Sequence, residues 1–349
     1  MKGPDRKQEQ PVNSKAVINS RVHDIEPEDG LLFGCILDGK GGGRLCDWAE
    51  IEATDTEKNP LWLHLDNVSE RAETWLREKS GIPAPVVGAL LAKESRPRSL
   101  RVDDGLLVIL RGVNLNEGAE PEDMVALRMW VEPKRIITVR YERLMTPRDV
   151  LSEIVDGAHG AETTADLFVA LSERLSLKIN DVIIELEDRL DALEAQVDTE
   201  QPTRLRSKIA ESRQDTVALR RYLSPQREAL ANLQYDAPDW LTPSHRMALR
   251  ETADRTLRYL EDLDAARDRA IVVLDELANK MAESMNRTMY ALSIVAAIFL
   301  PLSFLTGLLG INVGGMPGVN SNVAFWITCA IMTILMVTEV YVLRRLKWI

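Results

Sequence analysis

Two apolar runs dominate the hydrophobic pattern near the end of the chain, Met289–Leu309 and Val323–Val337. From Thr288 to Thr338 there is no Asp, Glu, Lys or Arg, in a chain that is 28% charged. A membrane-crossing helix needs about 20 apolar residues at 1.5 Å each. The first run meets that length directly. The second meets it once continued through Tyr341-Val342-Leu343. A short, Gly-rich insert, Gly310–Gly318, separates the two. The pattern predicts a two-pass membrane hairpin with a large polar body ahead of it.

That body reads in two parts. Short β-like runs fall at Leu31–Leu37, Leu61–Leu65, Leu106–Val113, Met124–Val131 and Arg135–Tyr141, bounded by turn residues. Ser69–Lys79 and Ala84–Lys93 read as helices between them, with Ser69 as N-cap. Gly39–Gly43 lacks the spacing of a phosphate loop and reads as a hairpin turn. From Thr146 onward the pattern is helical. Leu167, Leu171, Leu175, Ile179, Val182, Leu186, Leu190, Leu193 and Val197 recur at three and four. Pro202 and Pro225 predict a kink or break near each. A second long helix, capped by Ser244, runs without Pro or Gly to Leu300 and continues into the first apolar run. The expected fold is an α+β membrane protein. Its parts are a mobile tail (1–24), a mixed α/β domain (25–160), a long-helix stalk (161–287), a first transmembrane helix (288–309), an external loop (310–322), a second transmembrane helix (323–343) and a basic tail (344–349).

Charge adds orientation. Lys280 and Arg287 precede the first apolar run, Arg344, Arg345 and Lys347 follow the second, and the insert is uncharged. Cytoplasmic flanks carry the Lys/Arg excess, so both termini are expected in the cytoplasm of a cell with this protein in its inner membrane. Met1–Arg21 is polar and charged, so no secretory signal is expected. A net charge of −11 argues against nucleic acid as partner and agrees with a protein that gathers cations. Three cysteines, none in a C-x-x-C pair, fit a reducing compartment.

Candidate chemistry is sparse. His23, His64, His159 and His245 are scattered, with no zinc-ligand spacing, so no tightly bound metal or other cofactor is expected. Cys329 in the second run reads as a small apolar residue. Glu339 reads as an interfacial partner of Arg344 and Arg345, or as a group coupled to protons. No nucleophile–base pair or phosphate loop appears, so the chain is not expected to be an enzyme. In the first run, a period of 3.5 places Asn286, Met289, Ser293, Ala296, Leu300, Ser303, Gly307 and Gly310 on one stripe of mostly small or weakly polar residues. Such a stripe either packs helices closely or walls an aqueous path. Two helices cannot enclose a path, so a path requires an oligomer.

Gly310-Ile311-Asn312 ends the first run, after Gly307-Leu308-Leu309 and an internal Pro301. This arrangement resembles the CorA-type family of divalent-cation transporters, which carry Gly-Met-Asn at that place. Ile311 for Met, and the wording Leu305–Gly318, are similar to the zinc-transporting, ZntB-like branch. Arg220–Glu228 and the basic ending Arg344–Trp348 resemble the same branch. The resemblance implies a homopentameric funnel in the lipid bilayer, with the first apolar helices around the pore. It places Asn312 and the Gly310 carbonyl at the outer mouth, and Asn286, Met289, Leu292, Ala296, Leu300, Ser303 and Gly307 along the path. Arg344, Arg345 and Lys347 would form an inner basic ring. The implied cargo is Zn2+, with Cd2+ or Ni2+ as further ions, moving inward and coupled to protons. Magnesium or cobalt passage, and a membrane-anchored helical scaffold or sensor, are the alternatives.

The stripe's spacing extends backward. Met289, Ala296, Ser303 and Gly310 lie seven apart, and the same step reaches Ala282, Asp275, Asp268, Glu261 and Asp254. In a pentamer each acid would become a ring. A straight helix drifts about 20° per heptad from a strict 3.5 repeat. On that basis Asp275 faces the axis, Asp268 is marginal, and Glu261 and Asp254 have turned away. The ions held transiently at Asp275 and Asn312 would remain hydrated.

Overall fold

The computed structural model describes residues 27–54, 59–157, 159–311, 318 and 321–346. The expected tail at 1–24 and most of the external loop, with Asn312 in it, lie outside these, as does Lys347. The chain forms two compact units, one of Met1–Gln196 with Ser207–Ile271, the other of Val197–Arg206 with Val272–Ile349.

The first unit is built on a seven-stranded mixed sheet. In chain order the strands are β1 (Leu31–Leu37), β2 (Gly43–Cys46), β3 (Leu61–Asp66), β4 (Arg98–Val102), β5 (Gly105–Gly112), β6 (Val125–Glu132) and β7 (Arg135–Arg140). They lie in the order β2-β1-β3-β7-β6-β5-β4, with only β3 and β7 parallel. The five strands anticipated from the hydrophobic runs all form. The Gly39–Gly43 run does make the β1–β2 connection, with Gly39 at φ 72° and Gly41 at φ 91°, conformations that cost glycine little. β2 and β4 were not anticipated; both are polar edge strands, and neither has an apolar face to betray it.

Both sheet faces are covered, so the inner strands are buried almost end to end. On one face Ile36, Leu63, Leu65, Leu107 and Ile109 pack with α1 (Trp48–Ala53), α2 (Glu70–Glu78) and α3 (Ala84–Leu90). On the other, Phe33, Trp62, Val108, Leu127 and Met129 pack with α4 (Thr146–Val155) and α5 (Thr164–Glu194). Ser69 precedes α2 but does not cap it; its hydroxyl donates to the Asp29 carbonyl instead, 2.9 Å away. Thr163 and Asp166 form a reciprocal capping box at the start of α5.

Most of the α5 apolar series is buried, with Leu167, Leu171 and Leu175 in the core against the sheet. Ile179 and Leu186 lie in a cluster with Leu219 and Leu223 of α6 (Pro202–Asn232) and Tyr259 and Leu263 of α7 (Pro243–Leu309), where Ile183 is buried in place of Val182. The chain breaks before Pro202, which opens α6. It does not break at Pro225, which lies inside α6 between the buried residues Leu223 and Leu230. Packing on both sides of the proline holds the helix through the missing hydrogen bond. α7 starts one residue before Ser244, and Thr242 supplies the cap: its hydroxyl lies 3.5 Å from the His245 amide.

α7 continues unbroken for 67 residues, through Pro301. Its buried face mixes small residues, Thr252, Ala253, Thr256, Ala266 and Ala270, with Leu249, Tyr259, Leu260, Leu263, Val273 and Leu277. Leu257, Ile271 and Met281, apolar residues of the same helix, are exposed. Thr252, Tyr259, Ala266 and Val273 are buried seven apart, so the contact face keeps a strict heptad repeat rather than drifting. Asp254, Glu261, Asp268 and Asp275 each follow one of these by two residues and stay on the face opposite. In the second unit α8 (Ala324–Arg345) completes the pair of apolar helices, both long enough to cross a membrane.

One polar knot lies inside the sheet. Trp62 Nε1 donates to Thr138 Oγ1 at 3.0 Å, and that hydroxyl donates to the Leu63 carbonyl at 3.0 Å. Its one proton is then used, so His64 Nδ1, 2.8 Å away, must carry its own and donate too. Thr138→Val should orphan two buried donors and lower stability by about 2 kcal/mol or more. Denaturant titration followed by tryptophan fluorescence checks this, and Thr138→Ser should restore the midpoint.

Candidate functional site

The stripe in the first apolar helix is the feature with most to explain. Asn286, Met289, Leu292, Ser293, Ala296, Leu300, Ser303, Gly307 and Gly310 are all exposed in the single chain. The covered positions of that segment are Ile294, Ile298, Pro301, Leu302 and Leu305, at helical spacing on another side. In α8 the covered positions are Ala324, Thr328, Met332, Leu335, Glu339, Val340 and Leu343, again one stripe. Each apolar helix is therefore partly covered along one ridge, and its other positions, the small-residue stripe together with Val295, Phe299, Phe304 and Leu308, are exposed in the single chain. A Cβ placed on Gly307 would meet nothing within 4 Å, so the glycine serves no close approach within the chain. Within the single chain the stripe does not pack against the second apolar helix; close packing between copies and the wall of an aqueous path are the two readings it keeps.

Among the described residues the stripe's polar side chains make no hydrogen bond beyond their own helix. Ser293 Oγ bonds its own helix at the Met289 carbonyl, 2.9 Å away. The Asn286 amide and the Ser303 hydroxyl bond to no described residue. Gly310 ends the helix, its N–H donating to the Thr306 carbonyl at 2.9 Å and the Gly307 carbonyl at 3.2 Å. Ile311 is half exposed beside it.

The acidic positions upstream differ in their partners. Asp254 lies 3.7 Å from Arg250, and Asp268 lies 2.9 Å from Arg267. Asp275 is exposed and makes no ion pair among the described residues. The sequence ranked Asp275 above Asp254 by rotation about the helix. The structure separates them by charge compensation instead. Arg344 and Arg345 sit in the last turn of α8, where cations complement the helix dipole. Neither pairs with Glu339, five and six positions earlier, because those spacings leave its face; Leu343, four positions on, shares it. Glu339 Oε2 is buried with no hydrogen-bond partner.

The histidines and cysteines do other work. Burial holds His64 neutral down to about 3. His245 Nε2 lies 2.9 Å from Asp166 Oδ1 and ties the start of α7 to the α5 capping box. Burial pushes the Asp166 carboxyl up, but hydrogen bonds from Thr163 and His245 outweigh it and hold it low. His159 lines an open cleft with Glu153, Glu162 and Asp166. Cys35 and Cys46 sit on paired strands but in cores on opposite sides of the sheet, and burial raises both thiols to about 12. Among the described residues no three His, Cys, Asp or Glu side chains gather in a way that could hold a metal.

Known proteins share this arrangement over nearly its whole length. The profile of the CorA-like Mg2+ transporter protein family matches residues 57–345. The chain belongs to the CorA-like family. The divalent cation transporter CmaX of Pseudomonas aeruginosa is 37% identical over 332 residues, 94% of this chain and 100% of that one. The zinc transport protein ZntB of Pectobacterium carotovorum is 36% identical over 320 residues, 92% of this chain and 96% of that one. The solved structure of full-length CmaX superposes with a TM-score of 0.80, covering 93% of this chain and 99% of that one at 36% identity. The CorA magnesium transporter of Methanocaldococcus jannaschii, at 20% identity, shares the fold with a TM-score of 0.78 over 90% of this chain and 98% of its own. The CorA-like fold therefore accounts for the mixed sheet, the long α7 and the paired apolar helices together.

Proposed function

We propose that this chain passes divalent cations, zinc foremost, across a membrane through a path lined by the exposed stripe of α7. The observation that carries the reading is that bare stripe on a membrane-length helix. An oligomer that turns five such stripes inward encloses a path, and the homopentamer is the assembly we assign. Relatives named as zinc and divalent cation transporters match over more than nine-tenths of the chain, which supports cation passage. Gly310-Ile311-Asn312 in place of Gly-Met-Asn favours the zinc branch over magnesium. The Lys/Arg flanks support an inner-membrane orientation with both termini in the cytoplasm. No reaction chemistry is assigned to the chain.

The path offers amide, hydroxyl and carbonyl dipoles and no carboxylate, imidazole or thiol. A divalent ion passing it keeps most of its hydration shell, and the weakness of each contact permits release. Asn312 contributes the outer ring of amides in this account. Asp275, without an ion-pair partner among the described residues, contributes the cytoplasmic concentrating charge, and Asp268 a weaker one because Arg267 compensates it. Arg344, Arg345 and Lys347 set an opposing charge at the inner surface. Inward movement and coupling to protons complete the reading, with Glu339 the one carboxyl within the apolar helices.

Uptake of Zn2+, Mg2+ and Co2+ into proteoliposomes, with and without a pH gradient, tests the assignment. Wild-type protein should take up Zn2+ best, and Asn312→Ala should abolish uptake while the oligomer stays intact. Undiminished uptake by an intact Asn312→Ala oligomer would leave the scaffold reading standing. Asp275→Asn should raise the zinc concentration needed for half-maximal uptake several-fold at low ionic strength and little at high, since salt screens the ring. Asp254→Asn, already compensated by Arg250, should change uptake little at either. Equal responses from the two variants would remove the acidic ring from the account.

A further inference from the structure

Residues 91–97, which lead from α3 to β4, form a strap across one face of the sheet. Four side chains hold it by its carbonyls, in the order of the strands β3-β7-β6-β5. Asn67, just after β3, and Tyr141, just after β7, donate to the Leu91 carbonyl at 3.4 and 2.6 Å. Arg128 of β6 places Nη2 2.9 Å from the Ala92 carbonyl and 3.2 Å from that of Lys93. Arg111 of β5 donates through Nη2 to the Ser95 carbonyl at 2.8 Å. Among the described residues, the backbone of 92–97 bonds to no other backbone group. β5 and β6 pair Arg111 with Ala126 and Ile109 with Arg128, so the two arginines are diagonal neighbours on one face, about 7–8 Å apart at the backbone. Arg128 is 2% exposed, and neither arginine has an ion-pair partner among the described residues. The strap's carbonyls take the place of counterions; lifting them would leave buried positive charge without an acceptor.

Arg111 also reaches the long helices. Its guanidinium carbon lies 4.2 Å from the centre of the Tyr222 ring on α6, and its Nη1 donates to the Met124 carbonyl. β4 stops pairing with β5 at Arg98 and Ile109, so the Arg111 amide has no strand to bond on that side. The side-chain oxygen of Gln226, a residue of α6 only 2% exposed, accepts it at 2.6 Å. Tyr222 and Gln226 belong to Arg220–Glu228, the stretch whose wording resembles the zinc branch and to which the ion path gives no role. At the start of that stretch Arg220 reaches Asp264 of α7 at 2.7 Å, and Leu223 packs with Tyr259 and Leu263.

We propose that Arg111 is a shared clamp that couples the strap to α6, so that lifting one loosens the other. With the strap down, Arg111 is dry on its Ser95 side, and a desolvated guanidinium holds an aromatic face more firmly than a wet one. With the strap up, water reaches Arg111, its hold on Tyr222 weakens, and α6 keeps only Gln226 at that point of the sheet. The coupling is reciprocal, as any equilibrium linkage is: displacing Tyr222 makes the strap easier to lift. The clamp does not depend on the transport reading, and its test reads no ion flux.

A thiol under the strap reads its opening. Ser95 Oγ is buried with no hydrogen-bond partner, so Ser95→Cys removes no bond. In the full chain in detergent, with Cys329→Ser, labelling at position 95 by a small charged thiol reagent is timed, and Cys35 and Cys46, buried in the two cores, register any general unfolding. Tyr222→Leu alters α6 and leaves every strap donor in place. It should speed labelling at 95 at least about fivefold, with Cys35 and Cys46 still silent. Tyr222→Phe keeps the ring face and should leave the rate at its original value. In the other direction Arg128→Gln, which cuts the middle support of the strap, should speed hydrogen exchange of residues 219–224 by a similar factor. The clamp is overturned by labelling at 95 that ignores Tyr222→Leu or rises only together with Cys35 and Cys46. Equal acceleration by Tyr222→Phe, or α6 exchange that ignores Arg128→Gln, overturns it too.

Discussion

Helix continuity is the constraint on which the rest of this structure depends. α7 has no break between Pro243 and Leu309, and within each compact unit the side of the helix a residue occupies follows from its place in the sequence. Near the sheet its small-residue face is locked against α5 and α6 by burial. In the apolar segment Ile294, Ile298, Leu302 and Leu305 form the covered ridge. In each unit the acids upstream and the small polar residues downstream lie off those covered positions. The bare stripe is a consequence of how the covered faces are made.

Covered and bare surfaces also divide the electrostatics. The chain is acidic overall, and some of the carboxylates on its long helices are compensated. Arg269 pairs with Asp191 and Glu194, Arg220 with Asp264, and Lys280 with Asp198 and Glu276. These pairs are largely exposed, and each contributes little to stability. Asp275 and Glu261 have no ion-pair partner among the described residues, whereas Asp215 lies 3.2 Å from Arg189.

Much of this was legible in the sequence, because burial leaves periodic marks. The inner strands are apolar along their whole length, and the α5 series Leu167 to Leu193 announces its own face. The paired apolar runs and Gly310-Ile311-Asn312 pointed to the family. β2 and β4 escaped because an edge strand needs no apolar face. The face of α7 was legible in part: Leu249, Leu260, Leu263 and Leu277 are buried as apolar spacing suggests, but alanine and threonine share the packing, and Leu257 and Ile271, which look like core, are exposed. Pro225 looked like a break, but the packing of Leu223 and Leu230 on either side carries α6 through it. Whether Asp275 has a partner could not be read from periodicity at all, since ion pairing depends on which arginine each acid meets.

Accessibility of the stripe to water is the central claim, and single cysteines measure it directly. In a Cys329→Ser background, Ser303→Cys and Ile298→Cys would be exposed in membranes to a small charged thiol reagent, with Cys35 and Cys46 kept silent by burial. The account predicts rapid modification at 303, slowed by added Zn2+, and none at 298. Equal rates at the two positions, or reaction at 298 alone, would contradict it.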